Sequence, residues 1–580
     1  MSSKDRYLKV VELARRRGFF WPSYEIYGGV AGFYDMGPLG TALKRKLESF
    51  WREWFVRRHQ DMVVEIETPI IGPARVYEAS GHVESFTDPI VQCTRCGRLF
   101  RADHLVEEAL GIKAEGLDPR ELNMLIREHN IRCPVCGGEL GEVRLFNLLF
   151  KTTIGPYTSN TGYLRPETAQ GMFLAFKRVH GIMRNKMPLG IAQIGRVARN
   201  EISPRQLLLR VREFTIMEME FFFDPDEDYS SVVEPIASEK IRIRTGEDKR
   251  RGLEKPGEYS VGEAVQEKII MHPWLAYWMY EASKFLEKLG VPLHKQFFDE
   301  KLPEERAHYA SQTFDQVVWT ERWGWVEVSG HAYRGSYDLS RHMKYSGQDL
   351  TVFKPYTTPL KRRRLRIRVN KASIGAEFRE KTPKILAELA SMQPEEAEAA
   401  LKEKGYIEVA GVRLTDKHIS IVEEEVVETG KRYIPHVVEP SFGAERLLYI
   451  LLEYAYSEKD GRTVLKIPAF LAPIQVVILP LVSNHEGIVR KALEIKEMLS
   501  NMGFTLYYDD SGSIGARYAR ADEIGVPYAV TIDHRSLEDN TVTIRCRDTW
   551  MQERVPVDML PSRLRSLLAG KGASTLEDIG

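Results

Sequence analysis

RNEISPRQLLLRVREFTIMEMEFFF, residues 199–223, sets spaced arginines ahead of an aromatic stretch that carries two glutamates. Side chains alternate along a strand, so Arg210, Arg212, Phe214, Ile216, Glu218, Glu220 and Phe222 are expected on one face. Val211, Glu213, Thr215, Met217, Met219, Phe221 and Phe223 fall on the other. The second set is mainly apolar and reads as the packed side. That leaves a polar working face with arginines at one end and carboxylates at the other. Ser203-Pro204-Arg205-Gln206 reads as a turn, and Arg199 and Glu201, two apart at the end of the preceding strand, share a face. A planar guanidinium forks onto two phosphate oxygens, Phe214 offers a surface on which a base can stack, and Glu218 can hold an ammonium. The competing reading is a hairpin whose Arg and Glu side chains pair across strands, each exposed pair contributing about 0–1 kcal/mol.

Outward from the ribbon, LGTALKRKLESFWREWFVRR (39–58) places Leu43, Leu47, Phe50, Trp54 and Phe55 at helical steps. MVVEIETPII follows as a strand, and Pro69 inside it argues for an edge or interface position. A helix is expected to open at Arg165-Pro166-Glu167, with a strand from Gly190. The carboxylate of Glu167 at a helix start is also what the helix dipole favours. Beyond Lys466-Ile467-Pro468 the pattern changes to alternating strand and helix: QVVILPLV, GIVRKALEIKEMLSNMG, FTLYYDD, ARYARADEIG and YAVTID. Residues 470–570 therefore read as a separate α/β domain, and KGASTLEDIG as a loose tail.

The chain has 580 residues, too many for one core, with 82 Lys plus Arg against 82 Asp plus Glu, so binding of nucleic acid has to come from local charge. No apolar leader and no run of eighteen apolar residues is present, which predicts a cytosolic protein without membrane association. Four of the five cysteines form Cys93-Thr-Arg-Cys96-Gly and Cys133-Pro-Val-Cys136-Gly-Gly. Two such knuckles suit a tetrahedral, structural Zn²⁺ held by Cys93, Cys96, Cys133 and Cys136. Cys546 reads as a buried inert thiol. KRRRLRIRVNK (361–371) alternates Arg364, Arg366 and Arg368 with apolar residues, giving an arginine face suited to an RNA backbone or simply to solvent.

The RNE start and VREFT continuation of the ribbon resemble motif 2 of class II aminoacyl-tRNA synthetases. VVEPSFGAERLLYILLEYAY (437–456) resembles their motif 3, and the helix and strand ending at Pro69 resemble motif 1, the dimer-forming element. With RPETAQGMF, EPSFG and SIGARYARADEIGVPYAVTID, the chain resembles the homodimeric glycyl-tRNA synthetases over nearly its whole length. Prolyl, threonyl and histidyl synthetases of the same subgroup are the near alternatives, against which Glu167, Glu218 and the EPS at 439–441 argue. A catalytically silent, nucleic-acid-binding paralogue is the distant one, against which Arg199 and Arg446 argue.

The resemblance implies an α+β fold, an antiparallel-sheet catalytic domain with insertions plus a C-terminal α/β anticodon-binding domain. Its expected divisions are 1–90 with motif 1, a zinc-binding insertion at 91–145, 146–224 with motif 2, an insertion at 225–305, 306–351, an insertion at 352–430, 431–466 with motif 3, the anticodon-binding domain at 467–570 and a tail at 571–580. It also implies site residues. Arg199, Asn200 and Glu201 would contact ATP, Arg210, Val211 and Arg212 would lie along it, Phe214 would stack under adenine and Arg446 would meet the terminal phosphates. Glu327 and Val328 match a segment that contacts ATP, and Glu327 with Glu201 are candidate Mg²⁺ ligands. Glu167, Glu218, Glu439, Pro440 and Ser441 would hold glycine, joined by Arg101 and Arg165. Arg199, Glu201 and Arg446 would be catalytic. Tyr333 departs from the family pattern at the expected pocket wall, and Arg517 and Arg520 are surface candidates for contact with tRNA, the macromolecular partner.

Overall fold

The computed structural model describes residues 3–114, 116–156, 160–202, 204 and 206–570. The chain divides into two compact units, Met1–Leu350 with Pro435–Gly580, and Thr351–Ile434.

The first unit is organised by a nine-stranded sheet. Its strands are β1 (Val63–Glu65), β2 (Leu189–Ala198), β3 (Glu213–Phe223), β4 (Lys240–Arg244), β5 (Gly257–Ser260), β6 (Gln296–Glu300), β7 (Gln312–Thr320), β8 (Gly324–Gly335) and β9 (His436–Gly443). They lie in the order β5-β4-β6-β7-β8-β9-β3-β2-β1. All neighbours are antiparallel except β1 with β2 and β4 with β6. The ribbon of residues 199–223 thus supplies a central strand, and its two faces divide as the alternation predicts. Met217, Met219, Phe221 and Phe223 join the main core. Phe221 lies 4.5 Å from Trp274 and 5.3 Å from Trp278 of the helix Pro273–Lys288. On the opposite face Phe222 stacks at 4.4 Å on Phe176 of the helix Ala169–Ile182. Glu218 and Glu220 share that face and are buried.

Several local expectations shift. The strand proper begins at Glu213, because Leu207–Leu209 form a 3₁₀ turn whose Leu208 and Leu209 enter the core. β2 ends at Ala198, so Arg199 and Glu201 lie past it, with Arg199 N–H still donating to Arg212 O at 2.8 Å. The turn expected at 203–206 falls partly on Ser203 and Arg205, which lie outside the described residues, as does the tail at 571–580. The helix after Arg165 begins only at Ala169, so Glu167 precedes it and is free to face a cleft.

The motif 1 helix is α-helical over Pro38–Trp51 and continues through a π-helical turn, Arg52–Val56. Leu43, Leu47, Trp51 and Phe55 become its fully buried row, while Phe50 and Trp54 are only partly buried. The strand expected over MVVEIETPII breaks in two. Val63–Glu65 forms the edge of the large sheet, and Ile71–Pro73 joins a separate three-stranded sheet, with Pro69 in the gap between them. Residues 225–305 supply β4, β5, β6 and the helix Pro273–Lys288 to the main sheet and its core. Their charged composition hides a helix with Trp274, Trp278 and Phe285 on its buried side.

Residues 91–143 form a small module with its own core around Val91, Phe100, Leu122 and Ile126. After residue 474 a five-stranded mixed sheet encloses a core of Val476, Ile478, Ile488, Ile495 and Val530. There Arg517 is buried, donating to Gly512 O at 2.7 Å and to Pro480 O, so it is not the surface group expected, whereas Arg520 stays partly exposed while donating to Asp509 at 2.8 Å. Cys546 is buried as expected.

The second unit is a long antiparallel ribbon, Val352–Val369 with Ile419–Tyr433, and a small helical core around Ile374, Ile385 and Leu389. Its arginine strand faces a glutamate strand: Lys361 pairs with Glu425, Arg364 with Glu428 and Arg366 with Glu424. The basic face is therefore largely neutralised within the ribbon.

Phe55 is fully buried among Trp51, Phe285 and Phe442, at ring separations of 5.3, 5.5 and 5.1 Å. Phe55→Ala is expected to cost about 3–5 kcal/mol, read as a lower denaturant midpoint of the transition reported by tryptophan fluorescence.

Candidate active site

A cleft opens over one face of the sheet. It runs from Glu167, Glu218, Glu439 and Ser441 at one end to Arg199, Phe214, Glu327 and Arg446 at the other. β3, β9 and β8 lie side by side beneath it, with Glu218 opposite Ser441, Gly330 opposite Ser441 and Ala332 opposite Glu439.

At the cationic end Arg199 lies 5.4 Å over the Phe214 ring and 5.7 Å over Phe86, and its Nε donates to Pro166 O at 3.0 Å. Arg446, on the first turn of the helix Ala444–Ala455, donates from Nε to Leu209 O at 2.8 Å and pairs with Glu327 at 3.0 Å. Arg210 pairs with Glu201 at 2.8 Å. Burial works to raise the Glu327 carboxyl, but Arg446, Lys301 and Arg199 outweigh it and hold it below the usual range. Val328 is fully buried with its side chain in the core, so within the cleft lining it offers main chain.

At the acidic end Glu218 accepts from Thr168 N at 2.8 Å and Thr168 Oγ1 at 2.6 Å, satisfying the start of the helix Ala169–Ile182 from across the sheet. Arg334, fully buried, donates to Glu439 at 2.8 Å and to Asp338 at 2.8 and 2.9 Å, with the Tyr309 ring 3.7 Å from its guanidinium. Burial pushes the Glu439 carboxyl well up, Arg334 pulls it down, and Glu218 and Glu167 push it up again. Glu167 goes the other way. Burial raises it, but His82, Arg334 and the hydrogen bonds of His82 and Gln170 win and leave its carboxyl well below the usual range.

Several predicted residues lie elsewhere. Arg165 donates to the main-chain oxygens of Arg196 (2.9 Å) and Thr68 (2.8 Å), bracing the segment after β1 instead of entering the cleft. A Cβ on Gly195 would meet its guanidinium at 2.1 Å, so a side chain there would displace Arg165 from these oxygens. Arg101 pairs with Asp88 at 3.1 Å and with Asp103, inside the cysteine module. Arg212 donates to Glu201 O at 2.9 Å and Ala31 O at 2.7 Å and so holds main chain. Asn200 is seen through its N–H, which donates to Leu148 O at 2.7 Å. Val211 is buried at the edge of the cationic end. Pro440 is buried and alternates away from Glu439 and Ser441. Tyr333 donates to or accepts from His436 at 2.6 Å on the core side and is not part of the cleft wall.

The sequence reading missed Arg334 and Asp338, which lie on either side of the turn from β8 into the helix Tyr337–Ser346. It also missed Asp315, beside Glu327 in the cleft, with Lys301 at 3.0 Å.

In the cysteine module Cys93 Sγ lies 3.5 Å from Cys136 Sγ, and Cys96 Sγ lies 3.7 Å from Cys133 Sγ. All four sulfurs fall within 4.8 Å of one another. Thiolates bound to tetrahedral Zn²⁺ at about 2.3 Å sit about 3.8 Å apart, so the set fits the ion. Gly97 (φ 71°) and Gly137 (φ 68°) follow the second cysteine of each knuckle in the left-handed region, and their N–H groups turn back to Cys93 O and Cys133 O.

Residues 475–567 match the anticodon binding domain family. Among solved structures the fold is similar to a prolyl-tRNA synthetase from Cryptosporidium parvum, complexed with L-proline and AMP, with a TM-score of 0.50 at 13% identity over 98% of this chain and 76% of that one. The fold is that of a class II aminoacyl-tRNA synthetase. Among curated proteins, the glycine–tRNA ligase of Aeropyrum pernix is 59% identical, covering 100% of this chain and 99% of its own length. That of Pyrococcus abyssi is 48% identical over 98% and 99%, and that of Methanocaldococcus jannaschii 44% over 97% and 99%. The chain belongs to the glycine–tRNA ligase family.

Burial, then the neighbouring Glu327, pushes the Asp315 carboxyl up to about 7, against the pull of Lys301. A carboxyl raised on folding contributes its stability in full below about pH 4, and that stability is lost as pH rises towards 7. Asp315→Asn is therefore expected to melt higher than the parent at pH 8, with the gap closing towards pH 4 in melting curves across that range.

Proposed function

We propose that this glycine–tRNA ligase carries out both steps of its reaction in the cleft between Arg446 and Glu439. The observation that carries the reading is the continuity of that cleft, with cations for a triphosphate at one end and carboxylates for an ammonium at the other. Arg199, Arg210 and Arg446 take the phosphates of ATP, and Phe214 offers the stacking surface for adenine. Glu201 orients Arg210. Glu167, Glu218 and Glu439, with Ser441, hold glycine by its ammonium, and Arg334 fixes Glu439.

In the first step an oxygen of the glycine carboxylate attacks the α-phosphorus in line. The bond to the β-phosphate breaks, pyrophosphate leaves, and glycyl-adenylate forms without a covalent enzyme intermediate. The chain's contribution is positioning and fixed charge, since the arginines need no reorganisation as charge moves across the phosphates. In the second step the 3′-hydroxyl of tRNA(Gly) attacks the adenylate carbonyl, loses its proton, and AMP leaves.

Glu327 and Asp315 offer the hard oxygen donors that Mg²⁺ prefers, and Glu201 joins them only by exchanging its pairing with Arg210. Such an ion would supply charge neutralisation on the phosphates. The four cysteines hold Zn²⁺ in a closed, structural site. The anticodon-binding domain takes the tRNA. A second copy pairs along the motif 1 face, where Ile71 and Leu174 are exposed beside Pro69. The reaction is assigned to the cytosol, where thiols stay reduced. No helix of the described residues is long and apolar enough to cross a membrane.

Amino-acid-dependent ATP–pyrophosphate exchange tests the reading. Exchange is expected with glycine and not with alanine, serine, proline or threonine. Arg199→Ala is expected to lower it by about 10²–10³. Exchange unchanged in Arg199→Ala refutes the placement of the phosphates.

Cys133→Ser is expected to lose bound zinc, measured by elemental analysis, and to destabilise the 91–143 module, measured by faster proteolysis there. A full complement of zinc in that variant excludes the four-cysteine site.

A further inference from the structure

Glu220 has no place in the proposed mechanism, yet it sits directly behind it. It alternates with Glu218 on β3, and the pairing of Glu218 with Ser441 and Phe221 with Val438 brackets it opposite Glu439. The side-chain oxygens of Glu218, Glu220 and Glu439 lie within 4.8 Å of one another. Glu220 is completely buried, does not line the cleft, and neither of its carboxyl oxygens has a hydrogen-bond partner.

The neighbouring charges show what state such a group takes. Glu167, Glu218, Glu220, Asp338 and Glu439 share two guanidiniums: Arg165 acts on Glu218 but is held by main-chain oxygens, and Arg334 lies among the others. The Arg334 guanidinium is already committed to Asp338 and Glu439. His82 lies 3.5 Å from Glu167 and serves that carboxylate. His331, on β8, is held neutral by burial, its pKa lowered to about 3, and burial also lowers His342 on the helix Tyr337–Ser346. Every other carboxyl has a donor: Thr168 for Glu218, Gln170 for Glu167 and Asp338, Arg334 for Glu439. One arriving ammonium cannot neutralise the remainder, and a buried carboxylate with two unsatisfied oxygens is the costliest member to ionise. Burial, reinforced by Glu439 and Glu218 against the pull of Arg334, pushes the Glu220 carboxyl well above the usual range.

We propose that Glu220 works as a neutral carboxylic acid, a positioning residue whose O–H donates to Glu439 from behind the cleft and so fixes the carboxylate that receives the glycine ammonium. The role rests on the assignment of Glu218 and Glu439 to glycine. It makes Glu220 part of the specificity for glycine without contact with it. The donor function needs an X–H group of the right length, which glutamine carries on nitrogen and leucine lacks.

The test uses the full-length protein and glycine-dependent pyrophosphate exchange. Glu220→Gln is expected to keep the KM for glycine within about 3-fold of the parent, whereas Glu220→Leu raises it about 10- to 100-fold with the KM for ATP unchanged. Infrared spectra at pH 7 are expected to show a carboxylic-acid C=O absorption that both variants lack. A KM for glycine raised as far by Gln as by Leu, or no absorption missing from either variant, overturns the proposal. Glu218→Gln, measured alongside, separates the two readings. If it leaves the KM for glycine unchanged, the assignment of the pocket fails, whereas the infrared band still reports on Glu220. If it raises the KM while Glu220→Leu does not, the positioning role fails.

Discussion

The acidic end of the cleft depends on one buried cation. Arg334 has no exposed side-chain surface, and its three nitrogens reach Asp338, Glu439 and, at 3.6 Å, Glu167. A buried ion pair seldom adds net stability, because desolvation offsets the attraction, but an unpaired buried charge is strongly destabilising. The carboxylates cannot be kept in place without the guanidinium, nor the guanidinium without them. Tyr309 and Phe173 complete its surroundings with ring faces at 3.7 and 5.1 Å, surfaces a cation tolerates better than alkane. The group of charges is consequently rigid before any ligand arrives, which is what a site acting by preorganised electrostatics requires.

The sheet makes this arrangement affordable. β3 presents Met217, Met219, Phe221 and Phe223 to an aromatic core and, on its other face, Glu218 to the cleft with Glu220 buried behind it, so one strand serves both purposes. A one-residue slip would carry the glutamates into the core and the methionines into the cleft. Pairing with β2 on one side and β9 on the other fixes the register over the length of the strand. On β8 a register shift opposite Gln316 and Val317 turns Val328 inward and lets Glu327 face the cleft together with Gly330 and Ala332.

Period-two alternation is a local property, and it was legible. The two faces of β3 follow from it, whereas the strand and helix of residues 436–455 were legible through the motif 3 resemblance and the C-terminal domain through buried apolar runs alternating with helical patterns. What an arginine does is not local. Arg165 and Arg212 carry the same side chain as Arg199, but main-chain oxygens of Thr68, Arg196, Ala31 and Glu201 take their donors, and those partners come from distant parts of the chain. Composition misled in a second way. Residues 225–305 are charged enough to resemble a solvated insertion, yet the sheet uses only their apolar minority, Ile241, Ile243, Phe298 and the tryptophans of one helix face. Arg334 was hidden for the converse reason, since a fully buried arginine is rare enough that sequence favours the surface.

On the proposed reading, glycine poses a recognition problem that the cleft answers with charge instead of shape. A pocket that binds a side chain gains from apolar contact, about 1–3 kcal/mol for each methylene, but glycine offers none. Its ammonium and carboxylate are all there is to hold. On the proposed reading, Glu167, Glu218 and Glu439 concentrate negative potential on the ammonium, while Gly330, Ala332 and Ser441 keep the floor low beneath it. The carboxylates also occupy the volume that a larger side chain would need. Held by Thr168, Arg334 and Gln170, they cannot swing aside without leaving those partners unpaired. Attraction for the ammonium and exclusion of a methyl group thus come from the same three side chains, and what stiffens them for one task enforces the other.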